Sequence, residues 1–242
     1  MYAQAPSPIH PLVVAWRAVT PPGGRLVRVL PDGCLDLIWR DGEVFVAGPD
    51  TTARLHPTAG GTRFAALRFA AGTGPPLLRV AADELTDRAV PLAEFWPVAE
   101  VRRLAGADDP LAALEVAVRR RWRGPDPALV ALAAGARAGR PVAALAETFQ
   151  LSARQLHRRC RAAFGYGPKA LGRILRLRRA LALAETGHPF AEVAAVAGYA
   201  DQAHLCRDVR ALAGVPLGAL VGQPGSGANR STVLPSGSST TA

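Results

Sequence analysis

The sequence predicts an α+β chain: a small antiparallel β-barrel or sandwich of cupin-like form, followed by an all-helical domain holding two helix-turn-helix units. Three observations predict it. Residues 26–69 hold short apolar or alternating runs punctuated by glycine, proline and aspartate, whereas from residue 77 onward the apolar residues recur at helical spacing. Charge divides the 242 residues along a similar line, since 1–118 carry 11 basic and 13 acidic side chains and 119–221 carry 17 and 6. Finally, a short apolar helix followed at once by a basic amphipathic one occurs twice, after residue 141 and again after residue 189.

In chain order, the strand runs are 26–30, 35–39, 44–47, 53–56 and 64–69. Asp41-Gly42 between two of them is a two-residue hairpin signal, because both residue types tolerate positive φ. Several short strands at close spacing give a barrel or sandwich, which encloses either a ligand or a packed core. Asp36 lies between Leu35 and Leu37, where an inward carboxylate is costly unless hydrogen-bonded. With Asp32-Gly33 it reads first as turn and scaffold; the second reading is an effector pocket lined by Cys34, Asp36 and Trp39. A helix is expected at 92–104, kinked or broken by Pro97. Another, capped by Asp109 with Pro110 in its first turn, runs to about 122 with Leu111, Leu114, Val118 and Trp122 inward. The run Arg119 to Arg123, RRRWR, closes this part. Its arginines either complement the helix macrodipole or bind phosphate beside a base-stacking tryptophan. Gly124-Pro125 is the linker, and Asp126-Pro127 caps a supporting helix to about 138.

Within 152–164, Leu156, Cys160, Ala163 and Phe164 share one helical stripe, while Arg154, Gln155, His157, Arg158 and Arg161 fall elsewhere. Ser152 and Gln155 form a capping box, and Gly165 supplies the stop. Upstream, Val142, Leu145, Ala146 and Phe149 form the inner face of a short helix opened by Pro141. The second unit pairs a helix over 190–197 with one after Asp201 whose inward residues are Leu205, Val209 and Leu212, leaving Gln202, His204, Arg207 and Arg210 outward. Between the units a helix from Pro168 to about Glu185 spans roughly 25 Å. With its end loops, that length suits two recognition helices set one DNA turn, about 34 Å, apart.

These residues resemble the DNA-binding domain of the AraC/XylS family of bacterial transcription regulators over about 127–221. The resemblance is carried by Gly198-Tyr199-Ala200-Asp201-Gln202-Ala203-His204-Leu205-Cys206-Arg207, by Arg176-Leu177-Arg178-Arg179-Ala180 in the linker, and in the first unit by Leu145-Ala146-Glu147, Leu151-Ser152 and Leu156-His157-Arg158. Leu30 to Trp39 and Ala47 to Asp50 resemble a sensor-like domain, of unassigned ligand, found in a group of such regulators. The resemblance implies a sequence-specific double-stranded DNA-binding transcription regulator modulated by a small-molecule effector. In that architecture helices near 92–122 connect sensor to reader or pair two chains; the alternative is a helix that packs only on its own β domain. RNA polymerase and a second copy of the chain are among the partners the resemblance allows for. The chain departs from the pattern at Ala200, where the family places serine or aspartate; the second recognition helix is expected to lose an N-cap worth about 1 kcal/mol.

Base contacts are expected from Ala153, Arg154, His157 and Arg158 in the first unit and from Gln202, Ala203 and Arg207 in the second, with Arg161 on phosphate. The expected domains are 1–123, the β-rich sensor with its trailing helices; 124–222, the reader; and 223–242, a disordered tail with too few apolar residues to pack. The alternative is a metal-dependent small β-barrel enzyme with an accessory DNA-binding domain. It needs clustered histidines and carboxylates, and the β half holds only His10 and His56. No phosphate-binding, nucleophile-elbow or dinucleotide fingerprint is present, so neither catalysis nor a cofactor is expected. Cys34, Cys160 and Cys206 lack metal-type spacing and read as reduced thiols. With no signal peptide or membrane-length apolar run, the expected location is the cytoplasm.

Overall fold

The computed structural model describes residues 2–221; the tail expected at 223–242 lies outside the described residues. The β half holds strands β1 (Tyr2–Pro6), β2 (Val13–Val19), β3 (Arg25–Val29), β4 (Leu35–Arg40), β5 (Glu43–Ala47), β6 (Arg54–Thr58) and β7 (Arg63–Phe69). A helical turn, α1 (Pro75–Leu78), and a 3-10 turn at Ala82–Glu84 lead to a short strand, β8 (Ala89–Pro91). Six strands form one antiparallel sheet in the order β1-β2-β7-β4-β5-β8, while β3 pairs with β6 in a separate ribbon. With β1 and β8 at its edges, the sheet is open and does not close into a barrel.

The five expected runs correspond to β3 to β7. At the β4–β5 turn, Asp41 and Gly42 both take positive φ, 44° and 93°, and Arg40 pairs with Glu43 across it. Strands β1, β2 and β8 had not been expected. β2 reads VVAWRAV, whose alanines and arginine dilute the β-branched signature, yet it sits between β1 and β7 with Val13 fully buried. β8 has three residues, too few to display a period.

Alternation along β4 sends Leu35, Leu37 and Trp39 to one face and Asp36, Ile38 and Arg40 to the other. The first face is covered by α2 (Val98–Ala105) and α3 (Pro110–Arg121), through Leu104, Leu114, Ala117 and Val118. Trp39 Nε1 donates to the Ala105 carbonyl at 2.9 Å. Pro97 breaks the helix expected over 92–104, leaving a 3-10 turn at Leu92–Glu94 before α2. The Asp109 carboxylate caps α3 by accepting from the Ala112 amide. Among the RRRWR residues, Arg121 pairs with Glu100 at 2.6 Å and lies over the Trp96 ring at 4.0 Å, and Trp122 packs against Phe69 and His10. This tryptophan serves the β-domain core and is not available to stack on a base.

The other face of the sheet holds a buried polar group. Arg68 on β7 is 3% exposed and bonds both oxygens of Asp36, with distances of 3.1 Å, while Trp16 Nε1 donates to the same carboxylate at 2.9 Å. Asp32 lies 3.6 Å from the same guanidinium. Burial disfavours the Arg68 cation, but the Asp36 and Asp32 carboxylates more than offset it and hold its pKa above the ordinary value. The suggested pocket of Cys34, Asp36 and Trp39 is therefore not assembled. Trp39 faces α2 across the sheet from Asp36, and the Asp36 carboxylate is taken up by Trp16 and Arg68.

The helical half runs α4 (Pro127–Arg137), α5 (Val142–Thr148), α6 (Ala153–Phe164), α7 (Pro168–Glu185), α8 (Phe190–Ala197), α9 (Gln202–Ala213) and α10 (Leu217–Leu220). Its 18-residue α7 takes part in two separate cores. Leu171, Ile174 and Leu175 pack with α4, α5 and α6, while Leu177, Ala180, Leu181 and Ala184 pack with α8, α9 and α10. A residue of the β half enters each: Ala71 borders the first and Leu30 is buried in the second. No described helix is long and apolar enough to cross a membrane.

Candidate nucleic-acid interface

The two second helices, α6 and α9, are built alike. In α6 the Ser152 hydroxyl accepts from the Gln155 amide at 3.2 Å and the Gln155 side chain accepts from the Ser152 amide at 2.8 Å, so the expected capping box closes in both directions. Gly165 ends the helix in the left-handed conformation, φ 78°. Leu156, Cys160, Ala163 and Phe164 are buried, which places Ala153, Arg154, His157 and Arg158 on the exposed side. Burial pushes the Cys160 thiol up to about 11, so it is a neutral core residue near neutral pH. His157 is exposed, but its ring rests on the backbone of Gly167, where a Cβ would come within 2.8 Å of Nε2. Arg154 and Arg158 have no acidic partner among the described residues. Arg161 is different, pairing with Asp83 of the β half at 3.1 Å.

In α9, Gln202, Ala203 and Arg207 are exposed above buried Leu205, Val209 and Leu212. The cap expected to be lost at Ala200 is present one residue later, where the Asp201 carboxylate accepts from the His204 amide at 2.6 Å. His204 was expected to point outward. Instead its Nδ1 accepts from the Ala200 amide at 3.3 Å and its ring meets Tyr199 edge-on at 5.1 Å, so it braces the turn.

Asp208, which the sequence reading passed over, holds α9 to α7. Its buried carboxylate accepts from Arg173 and from the Tyr199 hydroxyl at 3.1 Å, with Arg176 Nη2 3.6 Å away. The Arg176 guanidinium also lies 4.4 Å from the Tyr199 ring centre. A signal was available. Position 208 falls on the same helical stripe as Leu205, Val209 and Leu212, and a carboxylate on an apolar stripe requires partners.

The β half touches both units at the C-terminal ends of their second helices. At the α6–α7 corner, Tyr166 donates to the Asp50 carbonyl at 2.6 Å and Thr86 to the Gly165 carbonyl at 3.2 Å. A Cβ at residue 165 would stand 2.6 Å from Pro49 and Thr86, so only glycine fits that approach. At the end of α9, the Ala53 amide donates to the Leu212 carbonyl at 2.7 Å and Arg28 to the Ala213 carbonyl at 2.8 Å. The N-terminal ends, which carry the expected base readers, are left open.

Residues 145–222 match the family model described as a helix-turn-helix domain, and residues 9–91 match one described as a domain of unknown function (DUF6597). No curated protein sequence matches the chain. Similar solved structures include ToxT from Vibrio cholerae at 9% identity, with 89% of this chain and 96% of that chain covered and a TM-score of 0.46. A structure of wild-type ToxT with unsaturated fatty acid bound has 10% identity, covers 87% of this chain and 94% of that one, and has a TM-score of 0.46.

Proposed function

We propose that this chain, an AraC-type helix-turn-helix regulator carrying an N-terminal DUF6597 domain, binds a specific double-stranded DNA site by placing α6 and α9 in successive major grooves. One observation carries the proposal: both second helices bury one face in a core shared with α7 and leave the outer side of their first turns exposed. That is the arrangement by which helix-turn-helix units read base edges. Arg154 and Arg158 are suited to guanine O6 and N7, Gln202 to adenine N6 and N7, Arg207 to guanine, and the Ala153 and Ala203 methyls to thymine, with His157 at the edge of the first set. The excess of basic side chains over 119–221 supplies the phosphate attraction, so binding weakens steeply with salt.

Residues 1–123 are read as the sensing part and 124–222 as the reader, joined closely enough for an effector on the first to alter the second. A regulator of this kind works in the cytoplasm on promoter DNA. The outer side of α3 suits a second copy of the chain. Exposed Ala112 and Val116 border a shallow groove of about 330 Å³ shared with α2, with Glu100, Arg103 and Arg120 around them. In an antiparallel pairing of two such helices, Asp108 before one helix would stand near Arg119 and Arg120 in the last turn of the other.

Arg158→Ala is expected to cost about 1–3 kcal/mol of binding at one base pair and to relax preference there. Titration against a set of single-base variants of the bound site checks this. Uniform weakening on every sequence would make Arg158 a phosphate contact instead.

A further inference from the structure

We infer that Asp83 acts as a built-in competitor of DNA phosphate for Arg161, so that the β domain limits how tightly the first reader grips DNA. The inference rests on the DNA-binding reading above. Arg154, Arg158 and Arg161 stand at i, i+4 and i+7 on α6 and form one basic line. Its first two members have no acidic partner among the described residues. The third has its Nη2 3.1 Å from an Asp83 oxygen, the two side chains being 54% and 26% exposed.

Asp83 is held on a stiff perch. Its turn is closed by the Leu85 amide donating to the Ala82 carbonyl, which also accepts from the Thr86 hydroxyl at 3.3 Å. The same Thr86 hydroxyl reaches the Gly165 carbonyl, and Tyr166 reaches the Asp50 carbonyl. These contacts seat the α6–α7 corner on the β domain without involving Asp83. The Arg161–Asp83 pair can therefore break while the corner stays seated.

Arg161 has two competing anionic partners, the carboxylate of its own β domain and a phosphate of bound DNA. Asp83 lies against Nη2, and a bidentate grip on phosphate needs that nitrogen beside Nη1 or Nε. The share of time Arg161 spends on Asp83 sets how much of that competition the DNA meets. This couples the β domain to DNA binding through one side chain.

The test uses the full-length chain with Asp83→Asn, Arg161→Ala and the double variant, titrated against the selected DNA site over a range of salt concentrations. Asp83→Asn is expected to bind about two- to five-fold tighter, with a salt slope steeper by about one counterion. Arg161→Ala is expected to abolish that gain, leaving the double variant indistinguishable from Arg161→Ala alone. Unchanged or weaker binding by Asp83→Asn would overturn the inference. So would an equal gain in the Arg161→Ala background, since the effect would then come from removing a negative charge in general. Thermal unfolding of each variant shows whether the corner remains intact, and a second substitution, Asp83→Ser, must repeat the gain. If the unaltered protein binds no DNA, the reading of the interface itself falls, and this inference with it.

Discussion

Asp36→Ala is expected to destabilise the β domain by about 3–5 kcal/mol, because it leaves the Arg68 guanidinium buried without its main counter-charge. Arg68 is 3% exposed and bonds both Asp36 oxygens, while Asp32, at 3.6 Å, is too distant to replace them. Trp16 Nε1 loses its acceptor in the same step. Asp36→Asn is expected to be milder, retaining an oxygen acceptor but losing the charge. Replacing both members, Asp36→Leu with Arg68→Met, removes two buried charges together and is expected to be less damaging than Asp36→Ala alone. Urea denaturation of the three variants orders them. If Asp36→Ala unfolds at the same midpoint as the unaltered chain, the pair is not what holds the face of the sheet opposite α2 and α3.

Asp208→Ala is expected to destabilise the second unit by about 3 kcal/mol, the lower part of the range for a broken buried pair, since Arg173 and Arg176 are partly exposed and regain some solvent. Its carboxylate is the common acceptor for α7 and the turn before α9, and Arg176 Nε is already buried without a hydrogen-bond partner. Removing Asp208 lets α9 shift against α7. The expected signature on DNA is uneven: protection of the sequence block under α9 is lost while the block under α6 stays protected. Equal loss of both blocks in a footprint, from a variant that is still folded, would show that Asp208 does not position α9 in particular.

The helices of the reader were legible because their signals are local. Ser152, Gln155 and Gly165 mark the ends of α6, the apolar stripe between them fixes its inner face, and Pro168 opens α7. Long-range partners were not legible in the same way. Nothing in the spacing of residues 83 and 161 says that they meet, because that contact depends on how the β half sits against the α6–α7 corner. β2 escaped for a different reason: between neighbouring strands, its small residues gain from burial what they lack in strand propensity. Two misreadings were avoidable. Residues 36 and 39 have opposite parity on one strand and cannot line one pocket. Asp201, next to Ala200, was itself an available cap.

The most direct test of the central claim is selection of bound sequences from a random pool of double-stranded DNA by the full-length protein. Titration of the winner against scrambled DNA at two salt concentrations completes it. Two short conserved blocks about one helical turn apart are expected from one chain, and four from a pair joined through α3. Enrichment of a single block would mean that only one unit reads bases. No enrichment, with binding lost equally on all DNA as salt rises, would contradict the claim and reduce the basic half to an electrostatic surface.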